Sequence, residues 1–306
     1  MEEHADSCIK TMKLYTHVER SKSLHIIDDC IPNVSFSKTI IFAVKTELTA
    51  RGMLQSDSID PIALSEIDSM HYEGNNAIGD AVAAMKLTSS STVLDIGAGF
   101  GGISRVLSSI SKCNSTALEL QPDISEMAEY LTKKCNLDNL VKHELGDIIT
   151  IDLDKLGSGK SSYDGIVSFL VFLHIPDKSS LLKNCAAMLK SGGTIFIEDY
   201  YCKSPFSDSE IKSLAEDVYS KDLPTKEEYI SHLKACGFDN IQFIDKTSEW
   251  TAYVNERVGA FIANRQHFEN LHGEACYLGL LHFYEAVAKL FNGHNLGGVR
   301  IIAEKA

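Results

Sequence analysis

A glycine-rich run between Thr92 and Gly102, with the sequence TVLDIGAGFGG, constrains the fold of this chain more than any other feature. An apolar segment leads into Asp95, and Gly97, Gly99 and Gly102 follow with the spacing G-x-G-x-x-G. This pattern is typical of a strand that enters a tight turn, where glycine lets a ligand approach the bare backbone. The turn leads into a helix whose first N–H groups face the ligand, because apolar residues recur behind it at helical spacing: Ile103, Val106, Leu107 and Ile110.

The glycine spacing alone fits two kinds of cofactor, a nicotinamide dinucleotide and S-adenosylmethionine (SAM). Glu119 ends the next apolar strand, at the place where the two hydroxyls of a ribose require an acceptor with two oxygens. Both cofactors carry such a ribose, so Glu119 does not distinguish between them. The choice depends on the rest of the chain.

Composition excludes several functional classes. The chain has 306 residues and a formal net charge of −13, which argues against a nucleic-acid partner because phosphate binding needs a basic surface. Its eight cysteines are scattered without a C-x-x-C pair, so we expect neither a zinc site nor a disulfide framework. The first residues are acidic, and the apolar run Ile40–Val44 is far too short to cross a bilayer. We therefore expect no metal, no membrane insertion and a cytoplasmic location.

Strand-like and helix-like periods alternate from residue 75 onward, which is typical of a parallel sheet with helices on both faces. A long insertion at about 247–296 precedes the last strand, and such insertions usually form walls or lids. Residues 1–70 carry no catalytic motif and are treated as an N-terminal helical extension to a domain over 71–306. The pattern predicts helices over 75–86, 123–135, 177–190, 250–268 and 274–291, one helix ending at Gly52 and one capped by Thr225 and Glu228, and strands over 141–145, 163–170, 194–198, 240–244 and 299–303.

The run Asp95–Gly102 resembles motif I of class I SAM-dependent methyltransferases. Glu119 matches the ribose-binding acid of that family, and Gly146-Asp147 matches the acidic end of its third strand, beside the adenine amine. The stretch SFLVFLHIPDKSSLLKNCAAMLKSGGTIFIEDY and the final GGVRIIAEK resemble the same family. The resemblance implies an α/β fold, a seven-stranded Rossmann-like sheet whose last strand is antiparallel, and SAM as the cofactor. The second catalytic region that a nicotinamide enzyme would normally show is not found.

Within that family the chain is most similar to the sarcosine/dimethylglycine type of small-molecule N-methyltransferase. The similarity lies in His71-Tyr72-x-Gly74 and in Phe172-Leu173-His174-x-Pro176-Asp177, which relatives acting on phosphoethanolamine and sterols share. It implies transfer of a methyl group to the nitrogen of an amino acid or amine. The alternatives are C- or O-methylation of a lipid, sterol or isoprenoid-like acceptor, and a catalytically silent relative that only binds SAM or a partner. We expect a small-molecule acceptor and a monomer or homodimer.

The candidate site residues follow from these positions. His174 lies just past the carboxyl end of the fourth strand, where open α/β sheets bind ligands, and it is a candidate for catalysis together with Tyr200. Arg265 is a candidate for holding a substrate carboxylate through two parallel hydrogen bonds, and the other predicted acceptor-binding residues are His71, Tyr201 and His267. The predicted cofactor-binding residues are Tyr72, Asp95, Gly97, Gly99, Gly101, Glu119, Leu120, Asp147, Ile148, Leu170 and His174.

Overall fold

Residues 36–306 form a domain built on one seven-stranded sheet. The computed structural model describes these residues, with side chains from Ile41 onward. The strands pair in the order β3-β2-β1-β4-β5-β7-β6, and β7 runs antiparallel to both of its neighbours. The predicted Rossmann-like sheet with an antiparallel last strand is therefore confirmed. The strands are β1 (Thr92–Ile96), β2 (Asn114–Glu119), β3 (Val141–Leu145), β4 (Tyr163–Phe169), β5 (Leu189–Cys202), β6 (Phe238–Asp245) and β7 (Leu296–Lys305).

The order of the strands locates the ligand-binding edge. β1 pairs with β2 on one side and with β4 on the other, so the winding of the chain reverses at β1. Open α/β sheets bind ligands outside the carboxyl ends of the strands at such a reversal. The glycine-rich turn follows β1, so it lies at that edge.

Helices cover both faces of the sheet. Side chains alternate along a strand, and accordingly Leu94 and Ile96 enter one apolar core while Val93 enters another. Within residues 36–306, no helix is both long enough and apolar enough to span a membrane. The helices are α1 (Phe36–Ala50), α2 (Pro61–Asp68), α3 (Asn75–Ala84), α4 (Gly102–Ser111), α5 (Pro122–Lys134), α6 (Lys178–Met188), α7 (Asp208–Glu216), α8 (Lys226–Ala235), α9 (Thr247–Ala263), α10 (Arg265–His272) and α11 (Glu274–Asn292).

Several element boundaries differ from the sequence prediction. Helix α5 begins at Pro122 with Gln121 as its N-cap, because proline is well suited to the first helical position. Strand β5 begins at Leu189 and continues through Gly192-Gly193, so the glycine pair does not separate helix from strand. The insertion contains three helices, α9 to α11, rather than two. Helix α7 was not predicted.

The N-terminal extension packs closely against the rest of the domain. Its first 35 residues lie outside the described part, and residues 36–70 contain the helices α1 and α2. Val44 and Leu48 of α1 share an apolar core with Ile124 of α5 and with Phe261 and Tyr277 of the insertion. Helix α2 then leads the chain to the ligand-binding edge of the sheet. The proposed domain boundary near residue 70 stays a prediction.

Candidate active site

The turn after β1 requires glycine for its backbone and for its packing. Gly97, Gly99 and Gly101 have φ angles of +74°, +55° and +77°, a region that other residues adopt only at a cost. A Cβ atom on Gly97 would lie 2.5 Å from Val171 Cγ2, and one on Gly101 would lie 2.7 Å from His143 Cε1. Any side chain at these two positions would therefore collide with the walls of the turn.

Two buried acids hold the turn. The carboxylate oxygens of Glu119 accept the backbone N–H groups of Gly99 and Gln121, each at 2.9 Å. Asp95 Oδ2 accepts the hydroxyl of Ser104 at 2.8 Å, whereas Asp95 Oδ1 has no hydrogen-bond partner among the described residues. Burial raises the pKa of Asp95 to about 7. A buried carboxylate oxygen without a donor is unusual in a folded protein, and it marks a place where a ligand or a water can bind.

Two clefts meet at the glycine turn. The first lies over Gly99 and the loop at residues 68–71, and the second, with a volume of about 320 Å³, lies over the ends of β2 and β3. Gly97, Val171 and His174 line both clefts. A ligand that fills both clefts must therefore pass these three residues.

Most of the predicted cofactor-binding residues lie on these clefts. The second cleft is largely apolar and includes Leu120, Asp147 and Ile148, while the first includes His71 and Leu170. Leu170 has a φ angle of +56°, and its backbone N–H donates to the carbonyl oxygen of Glu198. Glu119 does not line either cleft, since both of its oxygens face the backbone of the turn. Its contact with a ribose stays a prediction.

Hydrogen bonds to buried side chains hold the short turn Phe172–His174. Asp199 accepts the backbone N–H of Leu173 at 2.9 Å and the hydroxyl of Tyr229 at 3.1 Å. The ammonium of Lys178 donates to the carbonyl oxygens of residues 172 and 175 at 2.7 and 2.6 Å. Asp199 and Lys178 are buried, and burial raises the pKa of Asp199 to about 6. These bonds fix the backbone on either side of His174, which lines both clefts.

The two predicted tyrosines of β5, Tyr200 and Tyr201, do not lie at one site. They are consecutive residues of a strand, so their side chains lie on opposite faces of the sheet. Tyr200 packs beside Tyr72 and Trp250, and its hydroxyl contacts that of Tyr72. Tyr201 enters the other core and donates a hydrogen bond to Asp245 at 3.1 Å. Tyr72 and both β5 tyrosines are buried, and none of them lines the two clefts described above.

The structure does not bring the predicted residues of helix α10 to the clefts. Arg265 is exposed, and its guanidinium pairs with Glu269 at 2.6 Å and with Glu274 at 3.4 Å. His267 is also exposed. The interpretation of Arg265 as a carboxylate receptor therefore lacks structural support, because its two acidic neighbours already satisfy it.

Sequence reasoning missed two polar residues at the first cleft. Asp68 and Ser69 come from the end of α2, in the segment that carries no motif, and both line the cleft. Asp68 forms a buried ion pair with Arg105 of α4. The one signal available in the sequence is Arg105, a positively charged residue among the apolar residues of a helix that packs into the core.

The groups that line the two clefts fit SAM. The second cleft offers apolar walls for a purine, with Asp147 at its edge. The glycine turn contributes backbone to the first cleft, where Asp68 Oδ1 is a buried acceptor without a partner among the described residues. Asp95 Oδ1 is a second such acceptor, although Asp95 lines neither cleft. A cofactor with a nucleoside at one end and a cationic amino group at the other matches this distribution.

Comparison with known proteins supports this conclusion. Residues 94–197 match the family model described as a methyltransferase domain. A sarcosine/dimethylglycine N-methyltransferase of Halorhodospira halochloris is 26% identical over 164 residues, which are 54% of this chain and 57% of that protein. A phosphoethanolamine N-methyltransferase of Plasmodium falciparum is 26% identical over 211 residues, which are 68% of this chain and 76% of that protein. The chain spans only 37% of a related phosphoethanolamine N-methyltransferase from Zea mays.

Solved structures show the same fold. A phosphoethanolamine N-methyltransferase 2 of Haemonchus contortus, in complex with SAM, superimposes with a TM-score of 0.72 at 17% identity, covering 91% of this chain and 60% of that one. The sheet order, the glycine turn with its acids and the family match agree with one another. The chain carries a class I SAM-dependent methyltransferase domain.

Proposed function

We propose that this protein transfers a methyl group from SAM to the nitrogen of a small amine or amino acid. The observation that carries the proposal is the position of His174, which lines both the cleft suited to a nucleoside and the cleft beside it. The curated relatives named above act, by their names, on sarcosine, dimethylglycine and phosphoethanolamine. Each of these compounds presents an amine nitrogen to be methylated.

The chain's own residues would hold the cofactor as follows. Leu120, Asp147 and Ile148 would enclose the adenine, and Glu119 would accept hydrogen bonds from the ribose, since each carboxylate oxygen can accept more than one. The glycine turn would contact the remainder through its backbone. When bound, SAM supplies an electrophilic methyl group on a positively charged sulfur.

His174 is suited to removing a proton from the acceptor. Its Nδ1 atom lies 3.2 Å from the backbone carbonyl oxygen of Tyr219. A carbonyl oxygen can only accept, so Nδ1 carries the hydrogen and Nε2 holds the lone pair of the neutral ring. An aliphatic amine, whether primary, secondary or tertiary, is protonated near pH 7 and must lose that proton before its lone pair can react. We assign proton acceptance at Nε2 to His174: the N–H bond of the bound ammonium breaks, its proton moves to Nε2, and the freed lone pair can then attack the methyl carbon.

The remaining assignments belong to the same proposal. The acceptor is a free small molecule, not a nucleic acid, and the enzyme works in the cytoplasm. The strongly acidic composition supports the first assignment, because nucleic acid would be repelled. Carbon or oxygen methylation of a lipid or isoprenoid-like acceptor is the competing activity.

An acceptor screen tests the proposal. The full chain is incubated with SAM and with sarcosine, dimethylglycine, phosphoethanolamine, a sterol and an isoprenyl diphosphate, and release of S-adenosylhomocysteine is followed. We expect release with one or more of the amines and none with the sterol or the isoprenyl diphosphate. Release only with the sterol or the isoprenyl compound would refute the nitrogen assignment.

Two matched variants control the screen. Glu119→Gln should abolish the release, because the amide cannot accept both backbone N–H groups of the turn. Glu129→Gln makes the same chemical change on an exposed residue whose carboxylate pairs with Lys133, and it should leave the release unchanged. Equal activity of the two variants would remove Glu119 from the cofactor site.

A further inference from the structure

The loop that follows α2 brings two polar side chains against the start of α4. A Cβ atom on Gly102 would lie 2.5 Å from Ser69 Oγ and 2.8 Å from Asp68 Oδ1. Gly102 is the first residue of α4, and all three residues line the first cleft. The two oxygens therefore lie at the mouth of the glycine turn, although they belong to the N-terminal segment.

The Asp68 carboxylate is fixed through one of its two oxygens only. Oδ2 pairs with the guanidinium of Arg105, which also donates to the carbonyl oxygen of Phe100 at 2.6 Å and to the hydroxyl of Thr132 at 3.2 Å. Arg105 is fully buried, so this carboxylate cannot turn away without leaving a buried cation unpaired. Oδ1 is thereby held toward Gly102 and the cleft.

The other oxygen of Asp68 and the neighbouring hydroxyl of Ser69 have no hydrogen-bond partner in the described part of the chain. Asp68 and Ser69 are each 3% exposed, and within residues 36–306 neither Asp68 Oδ1 nor Ser69 Oγ makes a hydrogen bond. Buried polar atoms are almost always paired, and an unpaired charged oxygen is costly. The arrangement of one acceptor and one hydroxyl donor is complementary to a group that carries both an ammonium and a carboxylate.

We propose that Asp68 and Ser69 recognise the α-amino-acid end of the cofactor, with Asp68 Oδ1 accepting from its ammonium and Ser69 Oγ donating to its carboxylate. This inference rests on the proposed function, because it assigns the first cleft to one end of SAM. It gives the N-terminal segment a binding role that no motif indicates. The ion pair with Arg105 then serves to position Asp68.

Two ligands that differ only at this end separate the role from a general effect on the fold. S-adenosylhomocysteine carries the amino-acid group, whereas 5′-methylthioadenosine keeps the nucleoside and the sulfur but lacks that group. Binding of each ligand to wild type, Asp68→Asn and Ser69→Ala is measured by calorimetry. Asp80→Asn is the matched control, since Asp80 pairs with Arg300 at 2.6 Å away from the clefts.

We expect Asp68→Asn to weaken S-adenosylhomocysteine about ten- to a hundredfold and Ser69→Ala a few fold, with 5′-methylthioadenosine unchanged in both. Asp80→Asn should bind both ligands like wild type. Ser69→Ala leaves the ion pair with Arg105 intact, so it tests the same idea if Asp68→Asn fails to fold. The inference is overturned if the variants lose both ligands equally, or if both ligands bind unchanged and only the KM of the acceptor rises. If the wild type binds neither ligand, the proposed function itself fails.

Discussion

Replacement of Asp95 by asparagine should make the protein more stable at alkaline pH while it impairs cofactor binding. Burial raises the pKa of this carboxyl from an ordinary value of 3.8 to about 7. Between these two values the native state holds a proton that the unfolded state has released, so the stability of the wild type falls as pH rises through this window. Asparagine can still accept the hydroxyl of Ser104 and carries no charge, so the variant lacks this loss.

The size of the effect follows from the two pKa values. Between pH 5 and pH 8 the wild type should lose roughly 2–3 kcal/mol of stability relative to Asp95→Asn, because one pKa unit corresponds to about 1.4 kcal/mol. Urea denaturation of both proteins at several pH values measures the difference, and other buried acids cancel because both proteins contain them. Calorimetry should show S-adenosylhomocysteine binding weakened by about tenfold in the variant. Parallel stability profiles from pH 5 to pH 8 would refute the reasoning.

Three further substitutions test the site. His174→Asn should lower kcat for an amine acceptor by about a hundredfold at pH 7, and steady-state kinetics should show a smaller loss as the pH rises, because more of the amine is then already unprotonated. A loss that does not change with pH would exclude proton acceptance by this residue. Asp199→Ala should lower the free energy of unfolding by roughly 2–4 kcal/mol in urea denaturation, because it leaves the N–H of Leu173 and the hydroxyl of Tyr229 unpaired. Asp199→Asn should lower it by less, and an equal loss in the two variants would show that these bonds contribute little. Arg265→Lys should change the acceptor KM by less than about twofold, because the guanidinium is exposed and already paired, and a large rise in KM would return Arg265 to the acceptor site.

The sheet and the cofactor turn could be predicted because their signals are local. The glycine spacing after Asp95 reports a backbone requirement, and the structure shows it as three positive φ angles. The capping residues Thr225 and Glu228 form a reciprocal pair at the start of α8, because the sequence places both within one turn. Alternation of strand and helix then leaves few topologies.

The rest of the site could not be predicted in the same way, since it depends on pairings between distant residues. Asp68 meets Arg105 only when the extension folds onto α4. The core that each of Tyr200 and Tyr201 enters depends on the register of β5, because successive side chains of a strand lie on opposite faces of the sheet. Arg265 was favoured by its position in the insertion, and its acidic neighbours on α10 and α11 become decisive only when the helices are placed.

The most direct test of the central claim is the destination of the transferred methyl group. SAM carrying a ¹³C-labelled methyl group is incubated with the full chain and the best amine acceptor, and the product is examined by carbon NMR. We expect a labelled carbon bonded to nitrogen, together with one S-adenosylhomocysteine for each methyl group transferred. A label bonded to oxygen or carbon, or SAM left unconsumed with every amine, would contradict it.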